Sequence, residues 1–165
     1  MGEEPERLNH AGEGLLNPIP LAAIAVLLLN DHVLKDAFHN GLTGKLSDFA
    51  GLAFFPLVLQ ALWESVQTLL RRAWHPSRRA LLVSALATAL FFAAVQVWPP
   101  ATEFYRWCLG ALQWPVHALR AGRLVGLNPV SVWPDPWDLM ALPAVAIAVW
   151  TGWSRSRGPV GQPER

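Results

Sequence analysis

Residues 29–56 read LNDHVLKDAFHNGLTGKLSDFAGLAFFP, with seven ionisable side chains (Asp31, His32, Lys35, Asp36, His39, Lys45 and Asp48) set between apolar runs. The apolar run before them, Ile19 to Leu29, has eleven residues, whereas a membrane-crossing helix needs about 20. A first span is completed only if the helix carries on through Asn30, Asp31, His32 and Lys35 to about residue 38. A second helix then starts near Ser47 and Asp48, either of which can cap it, and runs to about residue 70. Pro56 falls inside it, which a membrane helix tolerates where neighbours satisfy the freed carbonyl. The stretch is thereby read as the facing ends of two membrane helices, and the fold class follows: an all-α integral membrane bundle.

Composition agrees. Of 165 residues, 53% are hydrophobic and 15% charged, against roughly 25% charged in an average soluble domain. A net charge of +1 with scattered basic residues gives no stripe for nucleic acid. The lone Cys108 excludes an internal disulfide, and the length fits one domain. Residues 1–17 are acidic and aperiodic and read as a disordered tail, as do residues 154–165. The first tail lacks the basic n-region of a secretory signal, so the first span is expected to be retained.

The remaining elements are read in the same way. The first span, residues 19–38, opens at Asn17-Pro18, a capping residue followed by Pro at the first helical position. Residues 80–98 form the clearest span, nineteen residues without a charge, closed by Pro99-Pro100. Small residues line it at helical spacing (Ala85, Ala89 and Ala93; Ala80, Ser84 and Thr88), as close helix approach in lipid requires. Residues 102–125 alternate polar and apolar faces and are expected to lie in the membrane interface as two short helices broken at Pro115. The fourth span, residues 136–153, opens at Asp135-Pro136. The expected architecture is thus four transmembrane helices, spans 19–38, 47–70, 80–98 and 136–153, with an interfacial segment between the third and fourth. Arg71, Arg72, Arg78 and Arg79 place the loop after the second span in the cytoplasm by the positive-inside rule, and both termini with it.

All five Asp residues fall in two places, Asp31, Asp36 and Asp48 or Asp135 and Asp138, and this topology puts both groups at the outer face. Asp48, Asp135 and Asp138 stand at helix N-termini, where capping alone accounts for a carboxylate. Asp31 lies toward a helix C-terminus, where the dipole disfavours it, and Lys35 follows at i,i+4 in the favourable order. The expected ligand-binding set is Asp31, His32, Lys35, Lys45, Asp48, Asp135 and Asp138, with His32 and Asp31 as the candidates for any catalytic role. Thr43-Gly44-Lys45 fails as a phosphate-binding loop, because His39 and Leu46 stand where it needs Gly and Ser or Thr. Zinc-ligand spacing, a nucleophile elbow and a dinucleotide fingerprint are likewise missing from the sequence, so neither metal nor cofactor is expected.

The strings LNDHVLK (29–35), LTGKLSDFAGLAFFP (42–56) and DPWDLMALP (135–143) resemble signature segments of an uncharacterised family of small bacterial membrane proteins. The layout is also similar to VanZ-like proteins, small bacterial membrane proteins associated with glycopeptide resistance. Under that resemblance Lys45 and Asp48 match an early motif, and Asp135 and Asp138 a late one. It implies an inner-membrane location and a role in the cell envelope. The leading expectation is a binding or accessory protein whose outer-face pocket takes a lipid headgroup or a lipid-linked, anionic envelope precursor. The alternatives are a proton-coupled small transporter or channel, and a lipid-acting enzyme with His32 as base.

Overall fold

The computed structural model describes residues 11–34, 41–70 and 77–155. Among them every regular element is helical. The chain divides into two compact units, residues 1–89 with 141–165, and residues 90–140.

In the first unit, Asn17 caps α1 (Pro18–Leu29) as expected: its Oδ1 accepts the Ile19 N–H at 3.1 Å, and Pro18 occupies the first turn. The helix continues as a π turn over Asn30–Leu34. The expected end of this span, residues 35–38, lies outside the described residues. Helix α2 (Gly41–Leu69) starts six residues before position 47. Its extra first turns have a buried partner, since the Asn30 amide engages Thr43 and Ser47. Pro56 is buried within it. Helix α3 (Arg78–Val97) matches the expected third span closely.

The last span departs most from expectation. Residues Pro136–Ala144 form a long 3-10 segment, and only Val145–Arg155 is α-helical. We label the latter α5, α4 being described below. Pro143 lies inside the 3-10 segment. It has no N–H to give to the carbonyl four residues back, and the α-helix starts two residues after it. The core of this unit is Leu57, Leu81 and Ala148, from α2, α3 and α5. Gly152 permits the approach: a Cβ there would lie 2.8 Å from Leu81 Cδ1 and 3.1 Å from Leu57 Cδ2.

Residues 13–16, within the stretch read as a tail, form a turn of 3-10 helix whose Leu15 packs on that same core. Residues 1–10 lie outside the described set, and so do residues 156–165 of the C-terminal tail.

In the second unit, α4 (Pro99–Ala121) follows α3 after Trp98 alone. Pro99 and Pro100 end the earlier helix because neither has an N–H to donate. The Thr102 hydroxyl donates to the Val95 carbonyl at 2.6 Å, answering the acceptor that Pro99 leaves without a donor, and contacts that of Trp98 at 3.3 Å. Residues 102–125 were expected as two interfacial helices divided at Pro115; α4 is one helix with Pro115 inside. Gly122, at φ 61°, ends it in the left-handed conformation. One face of α4 leaves Phe104, Leu112 and Leu119 exposed, and the other carries Arg106, Gly110, Gln113 and His117. Residues 122–135 then return as irregular chain.

Two helices, Thr43–Leu69 within α2 and Arg78–Val97, are long and apolar enough to cross a membrane. At 1.5 Å per residue α3 alone is about 30 Å long, the thickness of the hydrocarbon layer. The twelve residues of α1 and eleven of α5 are shorter than that requirement.

Polar side chains share the interior with the apolar core, and large apolar ones remain on the surface. Gln60, Glu64, Ser84, Thr88 and Thr151 are buried, whereas Leu62, Leu86 and Val83 are 60%, 60% and 67% exposed. Apolar atoms do remain on soluble surfaces, but buried polar groups beside large apolar exposed faces are the informative combination.

Candidate functional site

The sequence-derived ligand set divides between the two units. In the first, the organising residue is Asn30, wholly buried on the π turn. Its Nδ2 donates to the Thr43 carbonyl and to the Ser47 hydroxyl, both at 2.6 Å. One amide thus clasps the end of α1 to the first two turns of α2. Its Oδ1 is equally buried and has no hydrogen-bond partner among the described residues. Such an atom costs about 1–3 kcal/mol, and π turns are frequent at functional sites.

Around the clasp, Lys45 and Asp48 on α2 are half-buried, and both are engaged by partners. The backbones of Asp31 and His32 lie in the π turn. Their side chains, and all of Lys35, lie outside the described residues. The Asp31–Lys35 pair and the proposed base His32 are therefore placed only by their adjacency to Asn30. Asn30 itself was read simply as part of the helix that must be extended; its role as the clasp is a property of the tertiary structure.

Asp135 and Asp138 belong to the second unit. Asp135 Oδ1 accepts the Trp137 N–H at 2.9 Å, and its carbonyl accepts the Asp138 N–H at 2.8 Å. This is a cap on the 3-10 segment, the local role its position foretold. Gln96 of α3 joins the two acids: its Oε1 accepts the Asp135 N–H at 3.1 Å, and its Nε2 lies 3.4 Å from Asp138 Oδ2. Gln96 is itself buried. The geometry holds the end of α3 to the start of the last helical segment.

A further polar group is more deeply placed than sequence reasoning indicated. Glu64, on α2, is 2% exposed, and Gln60 one turn before it 3%. Gln60 Nε2 donates to Glu64 Oε1 at 3.1 Å, and the Gly12 N–H donates to Glu64 Oε2 at 3.1 Å. Gly12 reaches the carboxylate at φ 80°, a conformation glycine adopts at little cost. The i,i+4 spacing of Gln60 and Glu64 is visible in the sequence, but the approach of Gly12, 52 residues away, is not. Among the described residues, groups of His, Cys, Asp and Glu that could hold a metal ion are absent.

The chain matches no known protein-family model, no curated protein and no solved structure.

Proposed function

We propose that this chain is a polytopic protein of a bacterial inner membrane, with four membrane segments, an interfacial α4 and both termini in the cytoplasm. In this reading it is a binding or accessory protein that takes an anionic lipid headgroup or envelope precursor. The observation that carries the reading is the Asn30 clasp. A short apolar α1 ends in a buried amide that fixes the first turns of α2, so Lys45 and Asp48 stand on a braced helix, with Asp31 and His32 next to Asn30 in the chain. The burial of polar groups behind exposed leucines and valines supports the membrane setting. Lys45, with Lys35, supplies positive charge for phosphate or carboxylate, and Asp31 and Asp48 orient the lysines. The resemblance of residues 29–56 to small bacterial membrane proteins points the same way.

The test is Lys45→Ala. It should lower the co-purification of anionic lipid, or the binding of a phosphate-bearing precursor, while helix content and membrane insertion are retained. Undiminished lipid binding would remove the basis of the reading.

A second reading has one observation in its favour. Glu64 and Gln60 place a hydrogen-bonded carboxylate inside α2, and intramembrane carboxylates serve proton relays in transporters. A proton flux in proteoliposomes that Glu64→Gln abolishes supports it, and tight vesicles argue against it.

A further inference from the structure

A cavity of about 370 Å³ lies within the second unit, between α4 and the returning chain. Three fixings hold it open. The Arg106 backbone and side chain both bind Val130: the Val130 N–H donates to the Arg106 carbonyl at 3.1 Å, and Arg106 Nε donates to the Val130 carbonyl at 2.9 Å. Farther along, Trp114 Nε1 donates to the Val125 carbonyl at 2.7 Å. At Gly110 the helix has no Cβ, and the backbone of Asn128 and Pro129 occupies that space, with Pro129 Cα 3.2 Å from where a Cβ would stand. The cavity is therefore preformed, and its size sits at the lower end of the roughly 300–1,000 Å³ of small-molecule sites.

Its lining decides the class of occupant. Trp114, Val125 and Pro129 give apolar surface, and Gln113, His117 and Asn128 give polar side chains. Among the described residues, neither carboxylate nor ammonium nor guanidinium lines it. Gln113 and Asn128 each offer both a donor and an acceptor, and the His117 ring adds nitrogens that can hydrogen-bond. A ligand matched to that set is uncharged, carries hydroxyls that both donate and accept, and presents C–H surface to the aromatic and apolar wall. We propose that this cavity binds a single neutral sugar unit. It opens on the face of α4 opposite Phe104, Leu112 and Leu119, so a helix lying with those residues in lipid turns the cavity toward water. This inference is independent of the Asn30 corner and of its anionic ligand.

The experiment uses the full chain in a zwitterionic detergent, since a detergent with a sugar headgroup would occupy the site. N-acetylglucosamine, glucose and inorganic phosphate are titrated separately and followed by saturation-transfer NMR. Saturable binding of one of the sugars is expected, weakened roughly tenfold by Gln113→Ala or Asn128→Ala, the effect of losing about one hydrogen bond. Leu112→Ala, on the opposite face, should leave it unchanged, and helix content checks that each variant is folded. A response to phosphate alone, removed by replacing the basic residue of the last turn of α4 (Arg120→Gln), would overturn the assignment in favour of a basic anion site. Silence toward all three probes would show the cavity to be a solvent-filled gap.

Discussion

Replacing Asn30 separates two contributions that its side chain combines. Asn30→Ala removes both Nδ2 hydrogen bonds, to the Thr43 carbonyl and the Ser47 hydroxyl, and opens a small void in a fully buried site. Side-chain hydrogen bonds between membrane helices are worth about 0.6 kcal/mol on average and up to ~1.7 kcal/mol. Two of them, with the void, put the loss at about 1–3 kcal/mol. Asn30→Leu keeps the branched shape and loses the same two bonds. Both variants also remove Oδ1, a buried acceptor without a partner among the described residues, whose burial costs about 1–3 kcal/mol, so the lost bonds are offset alike in each. The void is what separates the two, and the Ala variant should lie about 1–2 kcal/mol below Leu. Both are measured by reversible unfolding of the full chain in mixed micelles. A Leu variant no more stable than Ala would refute the close packing of this site. A loss of more than ~3 kcal/mol in both would show that Oδ1 is satisfied in the folded protein, for instance by a bound water or ligand.

Three other outcomes follow from the packing. Glu64→Ala should release the Gly12 turn, read as faster proteolysis or amide exchange across residues 11–16, whereas Glu64→Gln, which keeps an acceptor, should release it less; equal protection in both variants would count against the contact. Gly152→Val should destabilise the first unit by about 1–3 kcal/mol through overpacking, because the new side chain meets Leu57 and Leu81, and Gly152→Ala should do so less; a Val variant with an unchanged unfolding midpoint refutes the close approach. Thr102→Val should lower stability by about 1 kcal/mol, since it removes the hydroxyl that answers the Val95 carbonyl at the α3–α4 break, and an unaltered midpoint would assign that carbonyl another partner.

The parts of this fold that were legible in the sequence rest on neighbouring residues. Asn17-Pro18 starts α1, and Pro99-Pro100 separates α3 from α4, because a cap and a missing N–H act locally. The uncharged run at 80–98 fixed α3 to within two residues at its start and one at its end. Pro115 was read as a break, yet α4 passes through it. Its missing hydrogen bond falls opposite Ala111, which is exposed, so water can answer that carbonyl. The 3-10 geometry of Pro136–Ala144 was also hidden, since an Asp-Pro start announces a helix without specifying its pitch.

The candidate site was legible in outline only. The polar stretch and the capping acids could be named from span length and helix polarity. Their tertiary ties could not, because Asn30 with Ser47, Gln96 with Asp138 and Gly12 with Glu64 join positions 17, 42 and 52 residues apart. A single sequence records no such pairing. The cavity beneath α4 depends on Gly110 and on a chain segment without periodicity, and neither announces a concavity.

The turn at Gly12–Leu16 also constrains the order of assembly. It leaves the ribosome before every segment it touches, and its seat does not exist until Glu64 on α2, Leu81 on α3 and Ala148 on α5 have come together. The earliest described residues to be made are therefore among the last to find their place. Docking of this turn reports completion of the first unit, and a bulky fusion close to Gly12 should be felt in the final step of folding rather than in the first.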